Sequence, residues 1–144
     1  MQPDSTDWKI INQLSKNAAP NSVVARNLGL SEGAVRQRLK KLQESGIIKI
    51  KALRNPEILE NQQLAIVTVN VSESKLLNQK AEEISKIDSV ISVSILSGRY
   101  DLLVEVLVDS NQGLIHFLTN KLSAIKGISK TETFVVLKSI EKWI

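Results

Sequence analysis

Between Ser31 and Lys41 the chain gathers side chains of one chemistry. Arg36, Gln37 and Arg38 carry planar hydrogen-bonding groups, Lys40 and Lys41 carry ammonium groups, and Gly33 and Ala34 leave space. Arg and Gln can make paired hydrogen bonds to the edges of bases, while Lys anchors phosphate oxygens. At about 100° per residue, Gly33, Ala34, Arg36, Gln37, Lys40 and Lys41 point away from an apolar stripe of Val35, Leu39 and Leu42, with Arg38 on its flank. The pattern expects DNA contacts from Ser31 at the helix start, from Gly33, Ala34, Arg36, Gln37 and Arg38 in a groove, and from Lys40 and Lys41 on the backbone. The small residues would permit close approach at the helix N-terminus. A solvated surface helix presents the same face, so the neighbouring elements have to decide.

A second cluster is Ser97-Gly98-Arg99-Tyr100-Asp101, between two strand-like runs. It holds a glycine, a cation, a phenol and a carboxylate, enough to meet both ends of a zwitterion, although hairpin turns use the same residues. Catalysis has little support. There is no GxGxxG, P-loop, HExxH or cysteine, and the single histidine, His116, lies in an apolar helical stretch where a structural role is expected. Glu82-Glu83 sits beside Lys80 and Lys86, as a solvated charged face would. No metal site and no cofactor are expected.

The elements that must position the first cluster are three short helices. Asp4 with Asp7 can cap the first, followed by Trp8, Ile11 and Leu14 at helical spacing. Pro20-Asn21 restarts the chain, with Asn21 as expected N-cap and Val24, Ala25 and Leu28 on one side. Gly29-Leu30-Ser31 then supplies a turn, a core plug and the N-cap of the third helix, which Gly46 ends. Two helices joined by a glycine turn, the second basic, are the helix-turn-helix layout. Ile47 to Leu53 alternates apolar and basic residues and predicts a short strand, so this part reads as a three-helix, winged-type helix-turn-helix over 1–56.

After Asn55-Pro56 the pattern changes. Strand-like runs at 65–71, 90–96, 100–108 and 131–140 alternate with helical stretches at 74–87 and 111–125. The order βαββαβ over 57–144 predicts an α+β, ferredoxin-like domain, with both helices on one sheet face. Val67, Val69, Leu102, Val104, Val135 and Leu137 make the strands apolar enough that a second subunit is expected to cover the other face, giving a homodimer.

The chain has 144 residues, 42% apolar and 24% charged, which is enough to bury a core. Residues 1–56 hold ten Lys/Arg against four Asp/Glu, a net +6, and residues 57–144 hold nine against eleven, a net −2. A basic first part suits a polyanionic partner. The N-terminus lacks a signal-peptide pattern and no apolar run is long enough to span a membrane, so a cytoplasmic location with no membrane partner is expected.

The leucine-responsive/asparagine-regulator (Lrp/AsnC) family is what the chain resembles nearly end to end. The resemblance is carried by Asp4-x-x-Asp7, the LGLS turn, LKKLQESGII, Asn55-Pro56, SGRYDLLVEV and IKGISKTETFVVLKSIEK. KIKAL lacks a glycine often found after the third helix, and Gln62-Gln63-Leu64 stands where the family commonly has Leu-Gly. The resemblance implies a RAM/ACT-like second domain and a transcription regulator that binds double-stranded DNA as a homodimer, or as a tetramer or octamer built from it, with an amino-acid-like effector. By position, Gly98, Arg99, Tyr100 and Asp101 match the effector turn, and Thr131 and Thr133 match strand residues near the same pocket, completed by a neighbouring subunit. Two alternatives stay open: an architectural DNA-binding protein, and an enzyme of the siroheme decarboxylase type, which resembles these chains but uses histidines.

Overall fold

Asp4 and Asp7 begin the first helix in the computed structural model, which describes residues 1–144. The Asp4 carboxylate accepts from the Asp7 N–H at 2.8 Å and the Asp7 carboxylate from the Asp4 N–H at 3.0 Å, a reciprocal capping box that starts α1, Ser5–Lys16. The second helix, α2, spans Asn21–Leu28. Its cap is Pro20 rather than the expected Asn21, since the fixed proline φ of −57° already sets the entry and no side chain caps it. Gly29 takes the left-handed φ of 66° that the sharp turn requires, and Ser31 caps α3, Glu32–Glu44, by accepting from the Ala34 N–H at 3.2 Å. Ile10, Val24, Ala25, Val35 and Leu39 form the core between the three helices.

The predicted strand at Ile47 to Leu53 is absent. The Ile47 and Ile48 N–H groups turn back to the Leu42 carbonyl, and residues 49–53 belong to no strand. Alternating residues favour a strand only where a ladder partner exists.

The chain divides into two compact units, Met1–Ala52 and Leu53–Ile144. In the second, β1 (Gln63–Val71), β2 (Val90–Ile95), β3 (Leu102–Val108) and β4 (Ile128–Val135) form an antiparallel sheet of order β2-β3-β1-β4. This is the ferredoxin-like order that the sequence pattern predicts. Val67 lies opposite Val104 on one side and Thr133 on the other, and the β1 to β4 register slips at Asn70/Val71.

Both helices are shorter than expected. A 3-10 turn at Ser74–Leu76 precedes α4, Leu77–Ser85, and α5 is regular only over Asn111–His116 before a π-helical stretch at Phe117–Leu122. There the Thr119 hydroxyl donates to the Ile115 carbonyl and the Ser123 hydroxyl to that of Thr119, competing with the regular ladder. Phe117 and Leu122, five apart, both reach the core, the spacing a π turn serves.

Ala65, Val67, Val69, Leu102, Val104, Val106 and Val108 pack under these helices with Ile84 and Leu114. Four of the six residues expected to need a partner are therefore covered by the chain itself, because alternation puts Val67, Val69, Leu102 and Val104 on the helix face. The other face carries Ile66, Leu103, Leu107 and Phe134, of which Phe134 is 46% exposed. The last strand also stops early, at Val135. Val136 still bonds to Leu64 and Gln63; past it the Ser139 N–H donates to the Glu57 carboxylate, Lys142 pairs with Glu105, and Ile144 exchanges backbone bonds with Arg54. Leu137, past the strand, is 94% exposed.

Candidate functional site

The face of α3 opposite its core stripe is built by that stripe. With Val35, Leu39 and Leu42 buried, Arg36, Gln37, Lys40 and Lys41 are left in solvent. Arg36 reaches back one turn to Glu32 at 2.6 Å and Lys40 forward to Glu44 at 3.8 Å; both pairs are exposed, and a polyanion can displace them at little cost. Gly33 has open space where a Cβ would stand, and Ala34 is half-buried beside the Ser31-capped N-terminus.

Arg38 behaves differently. Expected to face a groove, its guanidinium instead donates to Asp4 at 2.6 Å and Asp7 at 2.8 Å. The Asp4 and Asp7 carboxylates raise the guanidinium pKa, while the Asp7 N–H, then Arg38, hold the Asp4 carboxyl below its ordinary value. The sequence periodicity put Arg38 on the flank of the apolar stripe, and the capping residues of α1 fill that flank. A cleft of about 470 Å³ runs here, lined by Asp4, Asp7, Ala34, Gln37, Arg38 and Lys41 among others. Another cleft in the same unit, about 420 Å³ and bounded by Ile11, Leu14, Leu39, Ile48 and Ile50, has mainly apolar walls.

In the second unit the β2–β3 turn holds Gly98 at a φ of 149°, with the exposed Arg99 guanidinium 4.8 Å from the centre of the Tyr100 ring. The Tyr100 hydroxyl donates to the Glu132 carboxylate. One oxygen of Asp101 accepts from the Val71 N–H at 2.9 Å, and the Asn70 side chain donates to the Arg99 carbonyl at 2.9 Å. Gly98, Arg99, Tyr100 and Asp101 are thus held together at one end of the sheet. Thr131 and Thr133 are not brought to them, because they pair with Val69 and Val67 and share the helix face, whereas Glu132 lies on the other. Thr131 borders a separate hollow of about 270 Å³ with Leu118, Ser123 and Ile125. Glu132 and Asn70 are the contacts that pattern reading missed, Glu132 being legible only once the strand register is known.

His116, expected to be structural, is exposed at the end of α5. No three His, Cys, Asp or Glu side chains gather closely enough to hold a metal ion, and no helix is long and apolar enough to cross a membrane.

A family model described as the Lrp/AsnC ligand binding domain matches residues 64–142, more than half of the chain. The chain belongs to the Lrp/AsnC family. A second family model, winged helix-turn-helix DNA-binding, matches residues 3–49, the unit that carries α3. Lrp/AsnC relatives cover nearly the whole chain. An uncharacterized HTH-type transcriptional regulator of Pyrococcus furiosus is 36% identical over 97% of this chain and 95% of its own length. The HTH-type transcriptional regulator FL11 of Pyrococcus abyssi is 33% identical over 94% and 90%. Among solved structures, Escherichia coli AsnC superposes with a TM-score of 0.72 at 24% identity over 100% of this chain and 99% of that one, a likeness of fold. A transcriptional regulator from Neisseria meningitidis, in complex with L-Met, gives a TM-score of 0.74 at 27% identity over 98% and 94%. As a member of the Lrp/AsnC family, the chain combines a helix-turn-helix unit with an α+β unit that has the family's ligand-binding fold.

Proposed function

We propose that this protein is a sequence-specific DNA-binding transcription regulator, with residues 1–56 contacting double-stranded DNA and residues 57–144 dimerising and sensing a small molecule. The observation that carries the reading is the solvent-facing side of α3, where Arg36, Gln37, Lys40 and Lys41 flank a Ser31-capped N-terminus with open space at Gly33. Arg36 and Gln37 read base edges, Gly33 and Ala34 allow the approach, and Lys40 and Lys41 hold phosphates. Such a protein works in the cytoplasm, in reach of the DNA it binds.

Dimerisation uses the sheet face bearing Ile66, Leu103, Leu107 and Phe134, and higher assembly to a tetramer or octamer brings neighbouring turns together. Gly98, Arg99, Tyr100 and Asp101 bind an amino-acid-like effector, with Thr131 and Thr133 contributing from a neighbouring subunit. The L-Met complex of the Neisseria relative makes methionine the first amino acid to try.

Selection of bound duplexes from a random pool at near-physiological salt, then competition of the enriched site against random duplex, tests the reading. A two-fold-symmetric site is expected, with Arg36→Ala losing about 1–3 kcal/mol on it. Binding without enrichment would replace the regulator with an architectural protein. Calorimetric titration of the protein–operator complex with amino acids tests the effector.

A further inference from the structure

Arg38 is the residue of α3 that the pattern aims at DNA and the fold turns elsewhere. Both bonds leave one nitrogen: Nη1 donates to Oδ2 of Asp4 at 2.6 Å and to Oδ1 of Asp7 at 2.8 Å. Asp7 is 3% exposed, so its carboxylate has little water and relies on that guanidinium and on the Asp4 N–H at 3.0 Å. The same two carboxylates cap α1, and a single side chain therefore ties the first turn of α1 to the middle of α3. Ala34, one turn before Arg38, Gln37 beside it and Lys41 just after it share the cleft with all three.

We propose that Arg38 is a positioning residue for DNA readout: held by Asp4 and Asp7, it fixes the pitch of α3 against α1, and with it the aim of Gln37 and Lys41, and contacts no base itself. The inference rests on the reading of α3 as the DNA-contacting helix. Swinging Arg38 out to a base would strand the buried Asp7 carboxylate without its partner. Asp4, beside it, also repels any phosphate that approaches. A lysine at 38 ends in a more strongly hydrated ammonium on a shorter side chain and reaches both acceptors less well.

The test uses the full-length protein and the operator enriched from random DNA. Affinities for that operator and for each single base-pair substitution of it are measured for the parent, R38A, R38K, D7N and the D7N/R38A double variant, with melting curves to show folding. R38A and D7N are each expected to weaken operator binding about tenfold, with R38K between parent and R38A and the double variant no weaker than R38A. The loss should flatten preference at every base pair α3 reads. If R38A abolishes preference at one base pair alone while D7N binds like the parent, Arg38 reads a base and the proposal is wrong. Folded variants that bind as tightly as the parent overturn it as well, reducing the contact to a local stabiliser. Should R38A not fold, D7N and R38K carry the same comparison. A parent that enriches no sequence removes the DNA reading itself, and that result is seen before any variant is made.

Discussion

The Tyr100 hydroxyl donates to the carboxylate of Glu132, joining the β2–β3 turn to the edge strand β4. The bond reaches β4 through the residue between Thr131 and Thr133, whose own side chains lie on the opposite sheet face. Glu132 therefore holds the turn from within the same chain, together with Asn70 and the Val71 N–H.

That bond predicts an alkaline shift of the chain's single tyrosine. The hydrogen bond to Glu132, then burial, raises the phenol pKa against the opposing effect of Arg99. A group raised in the folded state stabilises fully below its unfolded pKa, and the benefit is lost as pH rises through the folded value, here above about pH 10. Absorbance titration should place the phenol midpoint above that of an unfolded peptide, and Glu132→Gln should lower it. An unchanged midpoint in the variant would show that the pair is not formed.

Acid should loosen the first unit through Asp4. Its carboxyl is depressed by the Asp7 N–H and then by Arg38, so its contribution is present above the ordinary aspartate value and fades as pH falls through the lower folded one. Asp4→Asn should flatten the acid limb of a melting-temperature profile taken between about pH 2 and 5. A parent profile already flat there would contradict the assignment.

Gly29→Ala should cost about 1 kcal/mol in the first unit, since its φ of 66° is disfavoured for an L side chain while no atom lies within 4 Å of the added Cβ. Urea denaturation reads this directly. A much larger loss would point to a steric clash instead.

Phe134→Lys should weaken self-association about tenfold or more while leaving the far-ultraviolet circular dichroism unchanged, because the ring is 46% exposed on the face away from the helices. Sedimentation equilibrium of parent and variant gives the comparison. Equal association constants would rule this face out as the proposed interface.

The parts of the fold most legible in the sequence were those set by local chemistry. Asp4, Gly29 and Ser31 each perform the capping or turning role their residue type implies, because the groups they satisfy lie within a few residues. The strand order also followed from the alternation of two helical and four strand-like runs. Ile47 to Leu53 misled because alternation states which residues share a face, while a strand also needs a neighbour to bond. Thr119 and Ser123 similarly hid the π stretch, since hydroxyls that fit any helix surface here bond to the ladder's own carbonyls.

The sequence by itself determined the two kinds of element, the sign of charge in each part, and the polar face of α3, since all three depend on composition and short-range periodicity. Only the tertiary structure decided that Arg38 belongs to Asp4 and Asp7, that Tyr100 meets Glu132, and that Thr131 and Thr133 share the sheet face opposite Glu132. Those choices depend on which residues, some thirty positions apart, come within 3 Å, and on which sheet face a register assigns them to.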